Sequence, residues 1–139
     1  MDSQRFNLAE AICRRHADRV TRVALLDAKP LAANCYTFGG LDFLSDKFAS
    51  ALNEQGVNQS DAVAVVLAPS AALAVALLGT LKCGAVAVPL SPSLDLGEIE
   101  GAVNDSRAKA LIAPFEQREA YAAIFPRGSV STVFLAGDS

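Results

Sequence analysis

The spacing of apolar residues changes from one segment of this chain to the next, and these changes predict an alternation of strands and helices. From Ala62 to Pro92 the chain carries a single charged residue, Lys82. This stretch consists of an apolar run, a segment of helix length and a second apolar run. Such a pattern predicts one buried strand-helix-strand unit.

The rest of the chain follows the same alternation. After Gly39-Gly40 the apolar spacing lengthens from two to about three and a half residues, which predicts a helix ending at a left-handed Gly56. Asn7 is expected to cap a first helix, and Asp95 with Glu98 to begin a later one. The predicted elements are helices over 8–18, 41–52, 70–83, from 95 through 103, and 115–124, and strands over 23–26, 35–38 (paired around a turn at 29–30), 62–67, 85–90, 109–113 and 131–135.

These strands are uniformly apolar and have no alternating polar face, which is typical of a parallel sheet covered on both sides. We therefore predict an α/β fold: a three-layer, doubly wound, mostly parallel sheet with helices on both faces. At 139 residues the chain suits a single domain over residues 1–139. Its apolar fraction, about 57% when glycine is counted and tyrosine left out, exceeds that of typical soluble domains. The excess fits either a sheet covered on both faces or a piece of a larger protein.

Charge and composition argue against several classes of protein. The net charge is −3, and seven Phe with two Tyr are the whole aromatic set, so no nucleic-acid partner is expected. Cys13, Cys35 and Cys83 are odd in number and lack metal-ligand spacing, which argues against a disulfide framework or zinc site and favours the cytoplasm. The uncharged stretch 62–81 is long enough for a membrane span, but Pro69 interrupts it, so no span is predicted.

The first turn of the strand-helix-strand unit is where a nucleotide-binding fold usually holds phosphate. That turn is Leu67-Ala68-Pro69-Ser70, which contains neither glycine nor a basic residue. We therefore predict no catalytic, cofactor-binding or metal-binding residue within this chain.

Three other features have both a structural and a chemical interpretation. His16 is the one histidine; it is either a solvated residue on the first helix or a general base. Cys83 either fills the core or acts as a nucleophile, and its apolar surroundings favour the first. Asp95 and Glu98 are either paired carboxylates or a helix start, and their spacing favours the helix start.

Three segments together resemble a known family. They are Tyr36-Thr37-Phe38-Gly39-Gly40-Leu41-Asp42 with the helix that follows it to Gly56-Val57; Ser60-Asp61-Ala62-Val63-Ala64-Val65; and Gly84-Ala85-Val86-Ala87-Val88-Pro89-Leu90-Ser91-Pro92 with Glu98, Asp105-Ser106 and Ala108-Lys109 behind it. Their order and spacing, over roughly residues 8 to 113, resemble the amino-terminal part of the adenylate-forming superfamily, the AMP-dependent synthetases and ligases that include acyl-CoA synthetases. The chain departs from that pattern at Gly40, at Ser60 and at the segment 69–71.

The resemblance implies a full-length enzyme that uses ATP and Mg²⁺ to activate a carboxylic acid as an acyl adenylate and then transfers the acyl group to CoA. The family's glycine-rich Pro-Lys loop, ribose-binding Asp and catalytic lid Lys do not occur here. The chain is thus expected to be an incomplete amino-terminal piece, inactive alone, whose partner is the remainder of its own polypeptide or a second copy bound through exposed apolar surface. The alternative is a freestanding binding or interaction module. The loop Val88-Pro89-Leu90-Ser91-Pro92 either simply ends a strand or contributes to an acyl or CoA passage.

Overall fold

The computed structural model describes residues 6–15, 21–29 and 32–137. The described part has the predicted order of elements, with boundaries that differ by a few residues. The helices are α1 Leu8–Arg15, α2 Phe38–Glu54, α3 Ala71–Lys82, α4 Leu96–Ser106 and α5 Arg118–Ala122, and the strands are β1 Val23–Lys29, β2 Ala32–Thr37, β3 Ala62–Val65, β4 Val86–Pro89, β5 Ala110–Pro114 and β6 Thr132–Ala136.

The last four strands form one parallel sheet in the order β4-β3-β5-β6. The chain adds β4 on one side of β3, then crosses over to add β5 and β6 on the other. This reversal of direction makes the sheet doubly wound and confirms the predicted fold class. The strands β1 and β2 pair with each other antiparallel and form a separate two-stranded sheet.

Along each central strand of the parallel sheet, successive side chains are buried on opposite faces. Val63 and Val65 point towards the side of α2 and α3, whereas Ala64 and Val66 point towards the side of α4 and α5. The β5 residues alternate in the same way: Leu111 packs on the side of α4 and α5, and its neighbours pack on the side of α2 and α3. Because successive side chains of a strand point to opposite faces, an all-apolar strand needs a cover on both. The predicted three layers are therefore confirmed.

Helix α2 begins three residues earlier than its apolar spacing predicts. Thr37, in an extended conformation, accepts a hydrogen bond on Oγ1 from the Gly40 N–H at 3.0 Å. The prediction that the helix follows Gly39-Gly40 is therefore wrong. A side-chain cap outweighs the low helix propensity of two glycines in the first turn.

Other helix ends follow the sequence closely. Asn7 Oδ1 accepts the main-chain N–H groups of Ala9 and Glu10 at 3.0 and 3.2 Å, as expected of a cap. Gly56 has φ of 83° and ends α2 in the predicted left-handed conformation. The predicted helix over 115–124 is divided into a 3-10 turn at Phe115–Gln117 and α5, because Gln117, the last residue of the turn, departs from α-helical geometry with φ of −106° and ψ of 15°. The predicted residues 16–18 of the first helix and the turn at Pro30 lie outside the described residues.

At the outer edge of the sheet, Pro89 occupies a position where its missing N–H does no harm. The N–H group of Val86 donates to Asp61 O, just before β3, and that of Leu90 donates to Val65 O, at the end of β3, both at 2.8 Å. Pro89, one residue before Leu90, therefore presents its nitrogen to the open side of β4. The strand ends within the segment 88–92, as predicted, and Pro89 blocks edge-to-edge pairing.

Helices α2 and α3 cross at very short range. A Cβ atom added to Gly79 would lie 2.7 Å from Cδ1 of Phe48 and 3.0 Å from the main-chain oxygen of Ser45. The buried hydroxyls of Ser45 and Thr80 bond back to Leu41 O and Ala76 O, each at 2.7 Å, so neither needs a partner across the interface. Among the helices of the described part, none has the length and apolar character needed to cross a membrane.

Candidate functional site

The turn between β3 and α3 lies at the carboxyl edge of the sheet, where open α/β sheets bind their ligands. Ser70 Oγ accepts the N–H of Leu73 at 3.2 Å and donates to Ala68 O at 2.9 Å. Ser70 therefore caps the start of α3 with its own side chain. The turn presents exposed Ala68 and Pro69 and no cation, and its residues do not fit a triphosphate.

Beside this turn lies an open cavity of about 320 Å³, which we call the apolar cleft. It is bounded by β2, α2, the first half of α3, the middle of β5 and the end of β6. The rings of Phe48 and Phe134 meet edge to face, with centroids 5.4 Å apart and planes at 77°. Of the described residues that line the cleft, Tyr36 alone carries a polar side chain. The remaining lining side chains include Leu44, Val75 and Leu135.

The position of the cleft follows from the winding of the sheet. After β3 the chain enters α3 on one face, and after β5 it enters α5 on the other face. The connection from β5 through α5 to β6 therefore places no helix on the α2 and α3 side, and the cleft opens on that side over β5 and β6. Sequence reasoning placed a candidate substrate passage at this edge in the loop 88–92, but it did not identify the cleft.

Hydrogen bonds between Ser91 and Ser93 fix the end of the loop 88–92. Ser91 Oγ lies 2.7 Å from Ser93 Oγ and accepts the Ser93 N–H at 3.3 Å. The part of this loop in an acyl or CoA passage stays a prediction. The carboxylates that follow it have a structural role, as favoured from the sequence: Asp95 Oδ1 accepts the Glu98 N–H at 2.8 Å, and Glu98 Oε2 accepts the Asp95 N–H at 3.1 Å. They form a complete capping box.

A second, polar pocket of about 400 Å³ lies between α1, α2 and α3, and its centre is Lys82. The Lys82 side chain is 7% exposed, and Nζ donates to an Asp42 carboxylate oxygen, to Asp42 O at 3.2 Å and to Asp46 Oδ1 at 2.7 Å. Cys13 and Glu10 of α1 line the same pocket. We call Lys82, Asp42, Asp46 and Cys13 the Lys82 cluster.

Interactions within the Lys82 cluster stabilise the charged forms of Asp42 and Lys82. The Lys82 hydrogen bond lowers the pKa of Asp42 against the opposing effect of burial. Burial lowers the pKa of the Lys82 ammonium, but the two aspartates together with Cys13 more than offset this and leave the pKa above its usual value. Burial raises the pKa of the Cys13 thiol, with the Lys82 charge opposing it. A protonated lysine therefore faces ionised Asp42 across the neutral range.

The cluster joins α2 to α3, and its chemistry is structural. Three acceptors already engage the three N–H donors of Lys82, so none is left for a substrate phosphate. The pairing was not predicted, although the sequence contains a signal for it. Asp42 and Asp46 stand four residues apart on one helix face, and Lys82 is the lone charge of an otherwise apolar unit.

Cys83 and His16 are the remaining candidate residues from the sequence. Cys83 packs against the core of the α2 and α3 face, and its Sγ lies 3.0 Å from Asn53 Oδ1 and 3.6 Å from Val57 O. Burial raises the pKa of this thiol, and the negative charge of Asp61 adds to the effect. A thiol kept protonated is a poor nucleophile, in agreement with the interpretation as core filling. His16 lies outside the described residues.

A sequence model of the family described as AMP-binding enzyme matches residues 10–136. The chain belongs to this family. The match covers the α/β sheet, both of its helical faces and the apolar cleft. It confirms the resemblance to adenylate-forming enzymes that the three short segments indicated.

Three curated relatives are 31% to 33% identical to this chain. Surfactin synthase subunit 1 of Bacillus subtilis is 33% identical over 105 residues, 76% of this chain and 3% of that protein. Syringomycin synthase SyrB1 of Pseudomonas syringae is 33% identical over 96 residues, 69% of this chain and 16% of that protein. The N-(5-amino-5-carboxypentanoyl)-L-cysteinyl-D-valine synthase of Penicillium rubens is 31% identical over 107 residues, 77% of this chain and 3% of that protein. The chain thus spans a small part of each.

Solved structures agree with the family and the fold. A benzoate CoA ligase from Burkholderia xenovorans superimposes with a TM-score of 0.83 at 26% identity, over 96% of this chain and 26% of that one. A long-chain-fatty-acid-CoA ligase from Archaeoglobus fulgidus superimposes with a TM-score of 0.84 at 22% identity, over 96% of this chain and 28% of that one. The second likeness concerns the fold alone. In both cases about three quarters of the other chain has no counterpart in these 139 residues.

Proposed function

We propose that these residues are the amino-terminal α/β layer of a ligase that activates a carboxylic acid with ATP as an acyl adenylate and transfers the acyl group to CoA. The observation that carries this proposal is the superposition of nearly the whole chain on one part of a benzoate CoA ligase. The match of residues 10–136 to the AMP-binding family supports it. ATP, Mg²⁺ and CoA are substrates and cofactors of the complete enzyme in this proposal.

Within that enzyme, these residues act as a scaffold. Adenylation joins a carboxylate oxygen to the α-phosphorus of ATP and releases pyrophosphate, which requires fixed donors around the phosphates. The capped turn at Ser70 and the engaged Lys82 offer no such donors. We expect the 139-residue chain alone to be inactive, and the groups that perform the reaction to belong to the rest of the polypeptide.

A thermal shift experiment tests the scaffold role directly. ATP with Mg²⁺ at millimolar concentration should leave the melting temperature of the 139-residue chain unchanged, because stabilisation by a ligand requires a site. The protein encoded by the complete reading frame should show an upward shift and should catalyse acid-dependent exchange of pyrophosphate into ATP. A clear shift of the short chain would contradict the scaffold role.

A second candidate is the activation of an amino acid for transfer to a carrier-bound thiol. It is favoured by the relatives with the higher identities, one of which is named for a product that joins three amino acids. Pyrophosphate exchange with separate panels of amino acids, aromatic acids and fatty acids distinguishes the two candidates. Exchange with benzoate or fatty acids, followed by thioester formation with CoA, supports the first. Exchange confined to amino acids supports the second.

A further inference from the structure

We propose that the first helix is a docking surface for an anionic lipid bilayer, which the protein contacts through the side chains of Phe6, Leu8 and Ile12. We call these three side chains the α1 stripe. The protein would lie on the surface of the bilayer without crossing it. This inference concerns where the protein is held, and it does not rest on the proposed function.

The α1 stripe is an apolar surface that the rest of the described chain leaves open to water. Phe6, which precedes the cap Asn7, is 77% exposed, more than any other large apolar side chain in the described ranges. Leu8 and Ile12 stand four residues apart, and therefore on one side of α1, and are 52% and 41% exposed. Covering such a surface removes apolar area from water, as in an interaction site.

The other side of α1 is fixed to the protein. Ala9 is fully buried, and Asn7 Nδ2 donates to Leu81 O of α3 at 2.6 Å. Glu10 and Cys13 line the polar pocket around Lys82. A partner therefore has access to a single face of α1. Helix-binding grooves take helices that are otherwise free, whereas a helix in a bilayer surface needs to offer one face only.

The charge of this part of the chain favours an anionic partner. Residues 5–22 hold five of the 12 Lys and Arg residues but two of the 15 Asp and Glu residues, so the segment is cationic in a protein of net charge −3. Arg14 and Arg15 belong to α1. Arg15 follows Leu8 by seven positions and Ile12 by three, which is the spacing of one helix side. Arginines beside an apolar stripe are typical of helices that lie on anionic bilayers.

Flotation with lipid vesicles tests this inference. The 139-residue protein and the protein from the complete reading frame are each mixed with vesicles of phosphatidylcholine alone, or of equal parts phosphatidylcholine and phosphatidylglycerol. Both proteins should float with the mixed vesicles and should bind the neutral vesicles at least about tenfold more weakly. Raising the salt concentration from about 0.1 M to about 1 M should weaken binding to the mixed vesicles, because salt screens the attraction between arginines and lipid headgroups.

A pair of double variants tests the apolar contact. Phe6→Ser combined with Ile12→Ser should bind the mixed vesicles at least about tenfold more weakly, because less apolar area enters the bilayer. Phe43→Ser combined with Leu94→Ser is the matched control, since these side chains are 60% and 36% exposed and lie outside α1. The control should stay within about twofold of the unchanged protein. Urea denaturation checks that all of these variants fold.

A second pair tests the role of charge at α1. Arg14→Gln combined with Arg15→Gln should also weaken binding to the mixed vesicles at least about tenfold, because each arginine near an anionic surface adds to the attraction. Arg118→Gln combined with Arg127→Gln makes the same change in net charge at two exposed positions outside α1. This control should stay within about twofold of the unchanged protein.

Each other result overturns the inference. Absence of either protein from the floated fraction would show that the α1 stripe does not hold it on a bilayer. Equal binding to neutral and mixed vesicles would remove the role of charge, and equal losses in the control variants would remove the role of α1. Self-association without flotation, lost on Phe6→Ser with Ile12→Ser, would assign the stripe to a second copy of the chain.

Discussion

The two faces of the parallel sheet are covered to different degrees. The face under α4 and α5 is closed: Ile99, Leu111 and Tyr121 are each at most 1% exposed. The face under α2 and α3 contains the close helix crossing at Gly79, yet it leaves the apolar cleft open between Leu44 and Leu135. Residues of this chain cover the closed face, whereas the other face leaves Leu44 and Leu135 partly exposed. A single sheet therefore combines one closed core with one that is open at the cleft.

The largest expected difference between the two faces comes from one substitution made on each. Leu111→Ala, on the closed face, should lower the free energy of unfolding by about 3 kcal/mol, because it leaves a cavity that the neighbours cannot fill. Leu44→Ala, on the rim of the cleft, should cost less than about 1 kcal/mol, since water already reaches that side chain. Urea denaturation of both variants measures the difference. Equal losses would mean that the cleft is closed in solution.

The helix crossing of the open face is tested by adding a methyl group. Gly79→Ala should cost about 2 kcal/mol, because the new Cβ would overlap the Phe48 ring and the main chain of Ser45. Gly101→Ala on α4 is the control: nothing lies within 4 Å of its Cβ, and alanine favours the helix by up to about 1 kcal/mol. Opposite signs in thermal or urea unfolding are expected. A tolerated Gly79→Ala would contradict the close approach of α2 and α3.

The Lys82 cluster predicts a dependence of stability on pH. The pKa of Asp42 is lowered on folding, so its contribution is present above the unfolded pKa near 4 and is lost as the pH falls through the lower, folded value. The pKa of Lys82 is raised, so its contribution is present below about 10.5 and is lost at higher pH.

The destabilising effect of Asp42→Asn should therefore be largest between these limits and should shrink in acid. Its size is modest, because the Asp42 side chain is 48% exposed and water screens the pair. Urea denaturation from pH 2 to pH 8 measures it, with Asp105→Asn, an exposed aspartate of α4, as the control. A constant difference across this range would show that Asp42 does not act through its charge.

The smallest effect concerns the hydroxyl of Tyr121 on the closed face. This oxygen is buried and finds no hydrogen-bond partner among the described residues, and burial raises the pKa of the phenol. Tyr121→Phe should therefore leave the free energy of unfolding unchanged or raise it by up to about 1 kcal/mol. Tyr36→Phe, in the open cleft, should have no effect. A loss of more than about 1 kcal/mol in Tyr121→Phe would reveal a partner for the hydroxyl, such as a buried water.

Much of the fold was predictable because its signals are local. The uniform apolarity of residues 62–67 and 109–113 predicted a two-sided sheet, and Asn7, Ser70 and Asp95 marked helix starts through side chains that bond within their own turns. The start of α2 was missed because a single Thr37 hydroxyl outweighs two glycines. The split of the helix over 115–124 was missed because its cause, the conformation of Gln117, leaves no mark on the apolar spacing.

The sequence by itself determined the order of the elements, the parallel character of the sheet and, through three short segments, the family. Only the tertiary structure decided which charges meet at Lys82, how closely α2 approaches α3 at Gly79, and where the apolar cleft opens. The physical reason is range. Periodicity and capping act between residues within a few positions of each other, whereas Lys82 meets Asp42 across 40 residues, and the cleft is lined by residues of β2, α2, α3, β5 and β6 that are far apart in the sequence.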